Sequence, residues 1–263
     1  MKVLMYVPYA TFSPESGLMF LLANYIQSSG NEVAATLCDG VFRVCQRDSD
    51  ARWQRGVHNC LFCVKEQRSL MEWAQIRPIA LSQFVSASGF QTLERSLSKL
   101  GAAELLQWRS CGMEVGKLCG ATLRERFGVE NFDQPDAADH NTLRSVVASA
   151  ALNIEACSAM LSAEHPQLVF IASGEDLLSA GVSELCRGRK IDAAIFRWDV
   201  TQRCIAVHRS ATNSTFSSEF MVSDLSEIRP SVSTWSDHVI HMVEEILHFL
   251  EIPVQQTLLQ AAP

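Results

Sequence analysis

Several classes of function are excluded by what this 263-residue sequence lacks. It has 22 basic against 29 acidic side chains and no run of Lys and Arg, so it has no electrostatic footprint for nucleic acid. No apolar stretch approaches the roughly 20 residues of a membrane-spanning helix. The apolar start, Val3 to Val7, is too short for a secretory signal and ends at Pro8. We therefore expect a cytoplasmic protein with no transmembrane segment.

The motifs of several familiar enzyme classes are also missing. No G-x-G-x-x-G follows a predicted strand, and neither a G-x-x-x-x-G-K-[ST] phosphate loop nor a G-x-S-x-G nucleophile elbow occurs. The paired H-x-E and P-C-x-x-C motifs of zinc deaminases are absent as well. The sequence therefore gives no support to dinucleotide binding, phosphate-loop chemistry, a serine hydrolase or a deaminase.

Cysteine, in contrast, is frequent, and four of the nine cysteines fall in one short window: Cys38, Cys45, Cys60 and Cys63. A C-x2-C pair can turn two thiolates onto one cation, and two further thiolates would complete a tetrahedron. Residues 46–59 are too polar to form a core, so a metal would give them a shape. We predict structural zinc in preference to an iron–sulfur cluster, whose C-x3-C-x2-C spacing is absent.

Other interpretations of these cysteines stay open. His58 could replace one of the four ligands, or some of the thiols could simply be buried, as free cysteine often is. Cys60 and Cys63 could also act as a redox dithiol. We interpret Cys111 and Cys119 as helix-packing residues. In a reducing cytoplasm, an odd number of cysteines favours metal or core use over disulfides.

Alternating strand and helix patterns predict the fold class, an α/β protein with a Rossmann-like open parallel sheet and helices on both faces. Val3–Val7 is a buried strand, Ser13-Pro14-Glu15 opens a helix, and Val33–Leu37 is a second strand, which together make a βαβ unit. The cysteine-rich insert, 38–63, follows that second strand at the edge where such sheets bind ligands, and a helix is predicted from Cys63 to Ala74. We predict one domain over 1–253, with a helical insert over 88–130 and a flexible tail over 254–263.

The second half repeats this rhythm. Asp139–Glu164 is predicted as a long helix, followed by a strand over 168–172, a helix over 177–186 and a strand over 193–196. Residues 203–208 could form an edge strand, and the Ser- and Thr-rich residues 210–218 are predicted to be a loop.

Polar residues at the predicted carboxyl edge of the sheet are the candidate site. The loop after the first strand offers Tyr9, Thr11 and Ser13, and Gly174 lies in the turn after a later strand. Glu175 could act as a general base toward a sugar hydroxyl, although it could simply charge the first turn of the next helix.

Two further residues are weaker candidates. Arg197 could contact a phosphate or pair with Asp199, and His208 is a possible acid/base residue or a structural histidine.

Taken together, the βαβ start, Leu37-Cys38-Asp39-Gly40, Cys45 and Cys60-Leu61-Phe62-Cys63 resemble the N-terminal half of bacterial capsule and O-antigen glycosyltransferase-like proteins. His165–Ile171, Gly174 and Thr212–Phe216 extend the resemblance over most of residues 1–220. The resemblance implies the acceptor-binding half of a two-domain glycosyltransferase, with a sugar or glycan acceptor as ligand. Three explanations of the missing donor-binding half stay open: the sequence is an excised or naturally short acceptor half, a partner chain supplies the donor-binding domain, or the protein no longer transfers sugar. The alternatives are an accessory or scaffold protein of polysaccharide assembly and a metal- or redox-responsive protein.

Overall fold

The fold was analysed in a computed structural model. It describes residues 1–8, 14–42, 44, 57–127, 137–173, 176–199, 201–202, 204–210, 218–222 and 237–252.

Strands and helices alternate in the first and last thirds of the chain, and helices dominate the middle. The elements are, in order, β1 (Lys2–Tyr6), α1 (Pro14–Ser28), β2 (Glu32–Leu37), α2 (Val57–Trp73), β3 (Arg77–Ala80), α3 (Ala87–Leu97), α4 (Ala102–Leu106), β4 (Arg109–Ser110), β5 (Met113–Glu114), α5 (Val115–Phe127), α6 (Ala137–Glu164), β6 (Leu168–Ala172), α7 (Ser179–Arg189), β7 (Asp192–Asp199), β8 (Cys204–Ser210), β9 (Ser218–Val222) and α8 (Asp237–Phe249). A short 3-10 helix, Leu81–Phe84, follows β3.

The main sheet has seven strands in the order β3-β2-β1-β6-β7-β8-β9. The first five pair in parallel, and β8 and β9 extend the sheet by antiparallel pairing. Strand order reverses between β1 and β6, which makes the gap between their carboxyl ends the topological switch point where open α/β sheets bind ligands. The predicted fold class, a Rossmann-like α/β protein, is confirmed.

The sheet separates two apolar cores. One face packs against α6 and α7 with α3, α4 and α5 outside them, and the other packs against α1, α8 and the inner side of α2. The central strands are almost entirely apolar because helices pack against both of their faces, as is usual in parallel sheets.

Helix α6 is long and apolar enough to cross a membrane by length and composition alone. However, 72 % of its apolar window is buried inside the molecule. It packs in the way that the central helix of a soluble domain packs, with Leu143, Val146 and Cys157 fully buried against the sheet.

Three local predictions need correction. Helix α2 begins at Val57 rather than at Cys63, so Cys60 and Cys63 lie on a helix. Cys111 does not pack a helix: with Gly112 it forms the two-residue turn between β4 and β5, where both residues have positive φ. Residues 218–222 form strand β9, although the prediction placed a loop up to Ser218.

Candidate functional site

The described cysteines fall into two groups. Cys119, Cys157, Cys186 and Cys204 are buried, whereas Cys60 and Cys111 are exposed and Cys38 and Cys63 are half-buried. Burial raises the pKa of the Cys186 thiol to about 12 and raises those of Cys119 and Cys157 still further, so these thiols stay protonated. Because a thiolate is the metal ligand and the nucleophile, the accessible cysteines are the ones that can do chemistry.

Cys38 lies directly after β2, at the carboxyl edge of the sheet. The next residue, Asp39, is fixed there because its carboxylate accepts hydrogen bonds from the backbone N–H of Ser82, at 3.2 Å, and from the Ser82 hydroxyl. Gly40 then adopts a φ of +84°, which suits glycine. These interactions therefore fix the backbone conformation of the segment that follows β2 at the sheet edge.

The same segment passes close to the first turns of α2. A Cβ placed on Gly40 would lie 3.9 Å from the Cβ of Cys60, so the backbone two residues after Cys38 passes near Cys60. Cys38 and Cys60 come from different elements, and the chain just after Cys38 passes near Cys60.

The start of the insert also has an apolar anchor that the sequence interpretation missed. Phe42 and Val44 are buried in the core beneath α6, and the Val44 N–H donates to the hydroxyl of Ser149 at 3.0 Å. The chain is therefore tethered up to the residue that precedes Cys45. Cys45 itself, with His58's side chain, lies outside what the structure describes.

Cys60 and Cys63 share one face of α2, three residues apart. Cβ atoms at this spacing lie about 5–6 Å apart. Two thiolates on one zinc ion need sulfurs about 3.8 Å apart, which the side chains can reach. Cys60 is the fourth residue of the helix, where the helix dipole favours a thiolate. The helix therefore presents both thiols on one face, where they can share a metal ion or form a disulfide.

Gln67, one turn after Cys63, fixes this face of α2 against the sheet. It is fully buried, and its amide nitrogen donates to the carbonyl oxygens of Val7 and Thr36, the latter at 3.4 Å. The Thr36 hydroxyl in turn accepts from the Val7 N–H at 3.0 Å. Two carbonyl acceptors require the amide nitrogen to point at them, so the orientation of Gln67 is chemically defined.

Within the described ranges, no group of three or more His, Cys, Asp and Glu side chains lies close enough together to hold a metal ion. Cys38, Cys60 and Cys63 all lie within those ranges and do not form such a group, and the fourth predicted ligand, Cys45, falls outside them. Zinc ligation thus stays a prediction.

Most of the predicted ligand-binding residues at the switch point also lie outside the described residues: Tyr9, Thr11, Ser13, Gly174 and the proposed base Glu175. Their roles stay predictions. The neighbouring Asp176 is buried, and its carboxylate accepts from the backbone N–H groups of Leu178 and Ser179 at 3.0 and 3.1 Å. Asp176 therefore caps the start of α7, which is the helix-stabilising role considered for Glu175.

Arg197 and His208 occupy neighbouring strands, β7 and β8, but neither extends the cysteine site. In the register of that pair, His208 lies opposite Ile195, in the middle of β7. The carboxyl end of β7 is at Asp199, four residues further along, or about 13 Å. Arg197 is exposed and lies opposite Ala206. The structure therefore places His208 away from the carboxyl edge of the sheet.

A buried polar chain lies under the switch point, and the sequence interpretation missed it. The Tyr6 hydroxyl donates to the side-chain oxygen of Asn153 at 2.7 Å, and the Asn153 amide donates to the carbonyl of Leu178 at 2.9 Å. Asn153 lies within the apolar face of α6, where a polar residue is the signal that could have revealed it.

No protein-family model matches the chain, and no curated protein matches it. Among solved structures, one that is similar is a CDPS, a cyclodipeptide synthase, from Fluoribacter dumoffii. It is 10 % identical in sequence, the superposition covers 70 % of this chain and 81 % of that one, and the TM-score is 0.40.

This finding corrects the functional prediction. The similar structure is not a glycosyltransferase, and the prediction that the chain is the acceptor half of one is wrong on that comparison. At this TM-score the likeness carries nothing of the neighbour's own activity to the present chain. The family resemblance that rests on the cysteine motif stays a prediction.

Proposed function

We propose that this chain is a zinc-binding Rossmann-like protein. Cys38, Cys45, Cys60 and Cys63 would hold the ion, and the ion would fix the segment between β2 and α2 at the carboxyl edge of the sheet. The observation that supports the proposal is the position of Gly40, two residues after Cys38, where an added Cβ would lie 3.9 Å from the Cβ of Cys60. A closed four-thiolate site is structural rather than catalytic.

The chemistry of the described cysteines fits this role. The three described members of the set are accessible, in contrast to the buried thiols of the core, and Cys60 and Cys63 have the spacing of a bidentate thiolate pair. Zinc is preferred to an iron–sulfur cluster because it needs no cluster assembly and its tetrahedral thiolate sites commonly include a C-x2-C pair. A cytoplasmic location, which keeps thiols reduced, belongs to the same proposal.

Protection of thiols from alkylation tests the proposal residue by residue. The zinc-loaded chain and the chelator-treated chain would each be treated with N-ethylmaleimide and mapped by peptide mass spectrometry. We expect Cys38, Cys60 and Cys63 to react only after zinc is removed. Cys111 is exposed in the hairpin turn and serves as the internal control that reacts in both samples. Equal labelling of Cys60 and Cys63 with and without zinc would exclude the site.

A redox dithiol at Cys60 and Cys63 is the second candidate. The helical placement of the two residues is compatible with it, because C-x2-C pairs at the start of a helix can form reversible disulfides. The same mapping under oxidising conditions distinguishes the two functions. A Cys60–Cys63 disulfide that forms reversibly in metal-free protein at ordinary cellular potentials would favour the redox function.

A further inference from the structure

A cavity of about 320 Å³ lies between α2 and the edge strand β3, outside the cysteine site. Its floor is apolar, since Leu37, Met71 and Ile76 line it and are 3 % exposed or less. This volume is at the lower end of the range for ligand pockets, which suits a small metabolite rather than a nucleotide.

The rim of the cavity carries one charge of each sign. Arg68 and Glu72 both line it and both are exposed, one helical turn apart on α2. Their side chains do not form an ion pair with each other, and neither has a hydrogen-bond or ion-pair partner among the residues that the structure describes. A guanidinium and a carboxylate thus flank an apolar floor, with the side-chain amides of Gln75 and Gln83 completing the rim.

The charge pattern restricts what the cavity can bind. A ligand with only a carboxylate would be attracted by Arg68 but repelled by Glu72. A ligand with only an ammonium group would be attracted by Glu72 but repelled by Arg68. Pairing of a ligand peptide with β3 as an additional strand is disfavoured, because Pro78 on β3 has no backbone N–H to donate to it. A molecule that carries a carboxylate, an ammonium group and a short apolar side chain would interact favourably with Arg68, with Glu72 and with the apolar floor.

We propose that this cavity binds an apolar α-amino acid. Its carboxylate would contact Arg68, its ammonium group would contact Glu72, and its side chain would cover Leu37, Met71 and Ile76. The pairing with Arg68 is directional, because the guanidinium presents a fork of N–H donors that matches a carboxylate. This site is separate from the proposed zinc site and does not depend on it.

Calorimetric titration of the full chain tests the proposal with three ligands that share the same branched apolar group. L-leucine carries both charges, 4-methylpentanoate carries only the carboxylate, and 3-methylbutylamine carries only the ammonium group. We expect leucine to bind with a sub-millimolar Kd. Each of the two singly charged analogues should bind at least about fivefold more weakly, since each loses one charged contact. Binding of either analogue as tightly as leucine would contradict the zwitterion assignment, and so would an absence of leucine binding up to about 10 mM.

Two substitutions assign the charges. Arg68→Gln should weaken leucine binding about tenfold and should also remove binding of 4-methylpentanoate, while leaving 3-methylbutylamine unaffected or slightly improved. Glu72→Gln should have the reverse effect on the two analogues. Arg95→Gln, which neutralises an exposed arginine on α3, is the matched control and should leave leucine binding unchanged. If Arg68→Gln binds leucine as the unaltered chain does, the proposed site is wrong.

Discussion

At the scale of single residues, Gln67 shows most clearly how the sheet edge is held together. It is a polar side chain with no exposure, and it joins α2 to the ends of β1 and β2 through the carbonyls of Val7 and Thr36. Buried carbonyl groups that lose their only side-chain donor are costly because no water replaces it.

We therefore predict that Gln67→Leu lowers the free energy of unfolding by about 2 kcal/mol, as measured by urea denaturation. Leucine has a similar size, so the loss would report the hydrogen bonds rather than a cavity. Gln91→Leu, an exposed position on α3, is the control and should change stability by less than about 0.5 kcal/mol. Equal stability of the two variants would mean that the Gln67 contacts contribute nothing.

Residue-level prediction from the sequence was uneven for physical reasons. The four-cysteine window stood out in the sequence because thiols in a polar segment need an explanation, and its role as a metal site stays a prediction. The anchors Phe42 and Val44 were missed because two isolated apolar residues show no periodicity. The turn at Cys111 was missed because cysteine is rarely chosen for positive φ, so it gives no turn signal.

At the scale of elements, the contact between α6 and α7 depends on a close approach at Gly181. A Cβ placed on this glycine would lie 2.7 Å from Cγ1 of Ile154, which is buried in α6. Gly188, on the same helix, has no atom within 4 Å of the equivalent position. The two glycines therefore provide a matched pair in one helix.

We predict that Gly181→Ala destabilises the protein by about 1–3 kcal/mol, because overpacking pushes the two helices apart. Gly188→Ala should instead stabilise it by up to about 1 kcal/mol, since alanine favours a helix and meets no obstacle there. Thermal unfolding of the two variants side by side measures the difference. A Gly181→Ala protein as stable as Gly188→Ala would show that the helices do not pack as closely as described.

The elements themselves were predictable where their burial was continuous. Strands β1, β2 and β6 are buried along almost their whole length. The start of α2 was placed six residues late, because its first turn, His58-Asn59-Cys60, is polar and shows no apolar period. Strand β9 was partly hidden by the Ser- and Thr-rich composition that precedes it.

At the scale of the whole molecule, an ion-pair network joins four elements below the amino ends of the strands. Glu164, at the end of α6, contacts Lys2 of β1 at 2.8 Å and Arg77 of β3 at 2.6 Å. Glu32 of β2 contacts the same two cations at 3.2 and 3.3 Å. The Glu164 side chain is only 15 % exposed, so this network is partly protected from solvent screening.

This network predicts a pH-dependent stability. Arg77 and Lys2 lower the pKa of the Glu164 carboxyl in the folded state, so its contribution is present above the unfolded-state pKa and is lost as the pH falls through the lower folded value. We expect Glu164→Gln to cost about 1 kcal/mol at pH 7 and progressively less below about pH 4 in urea denaturation. Glu72→Gln removes an exposed carboxylate that has no ion-pair partner among the residues that the structure describes. It is the control and should cost less than about 0.5 kcal/mol throughout. A cost for Glu164→Gln that is the same at pH 7 and pH 3 would contradict the assignment.

The most direct test of the central claim is the zinc content of the protein, measured by plasma mass spectrometry after purification without chelators. The account predicts about one zinc ion per chain for the unaltered protein and less than a tenth of that for the Cys60→Ser/Cys63→Ser variant, since two of four thiolates are removed. The Cys111→Ser variant, which alters an exposed cysteine outside the set, should retain the full amount. Unaltered protein that is folded and free of zinc, and that takes up none when zinc is supplied, would contradict the claim.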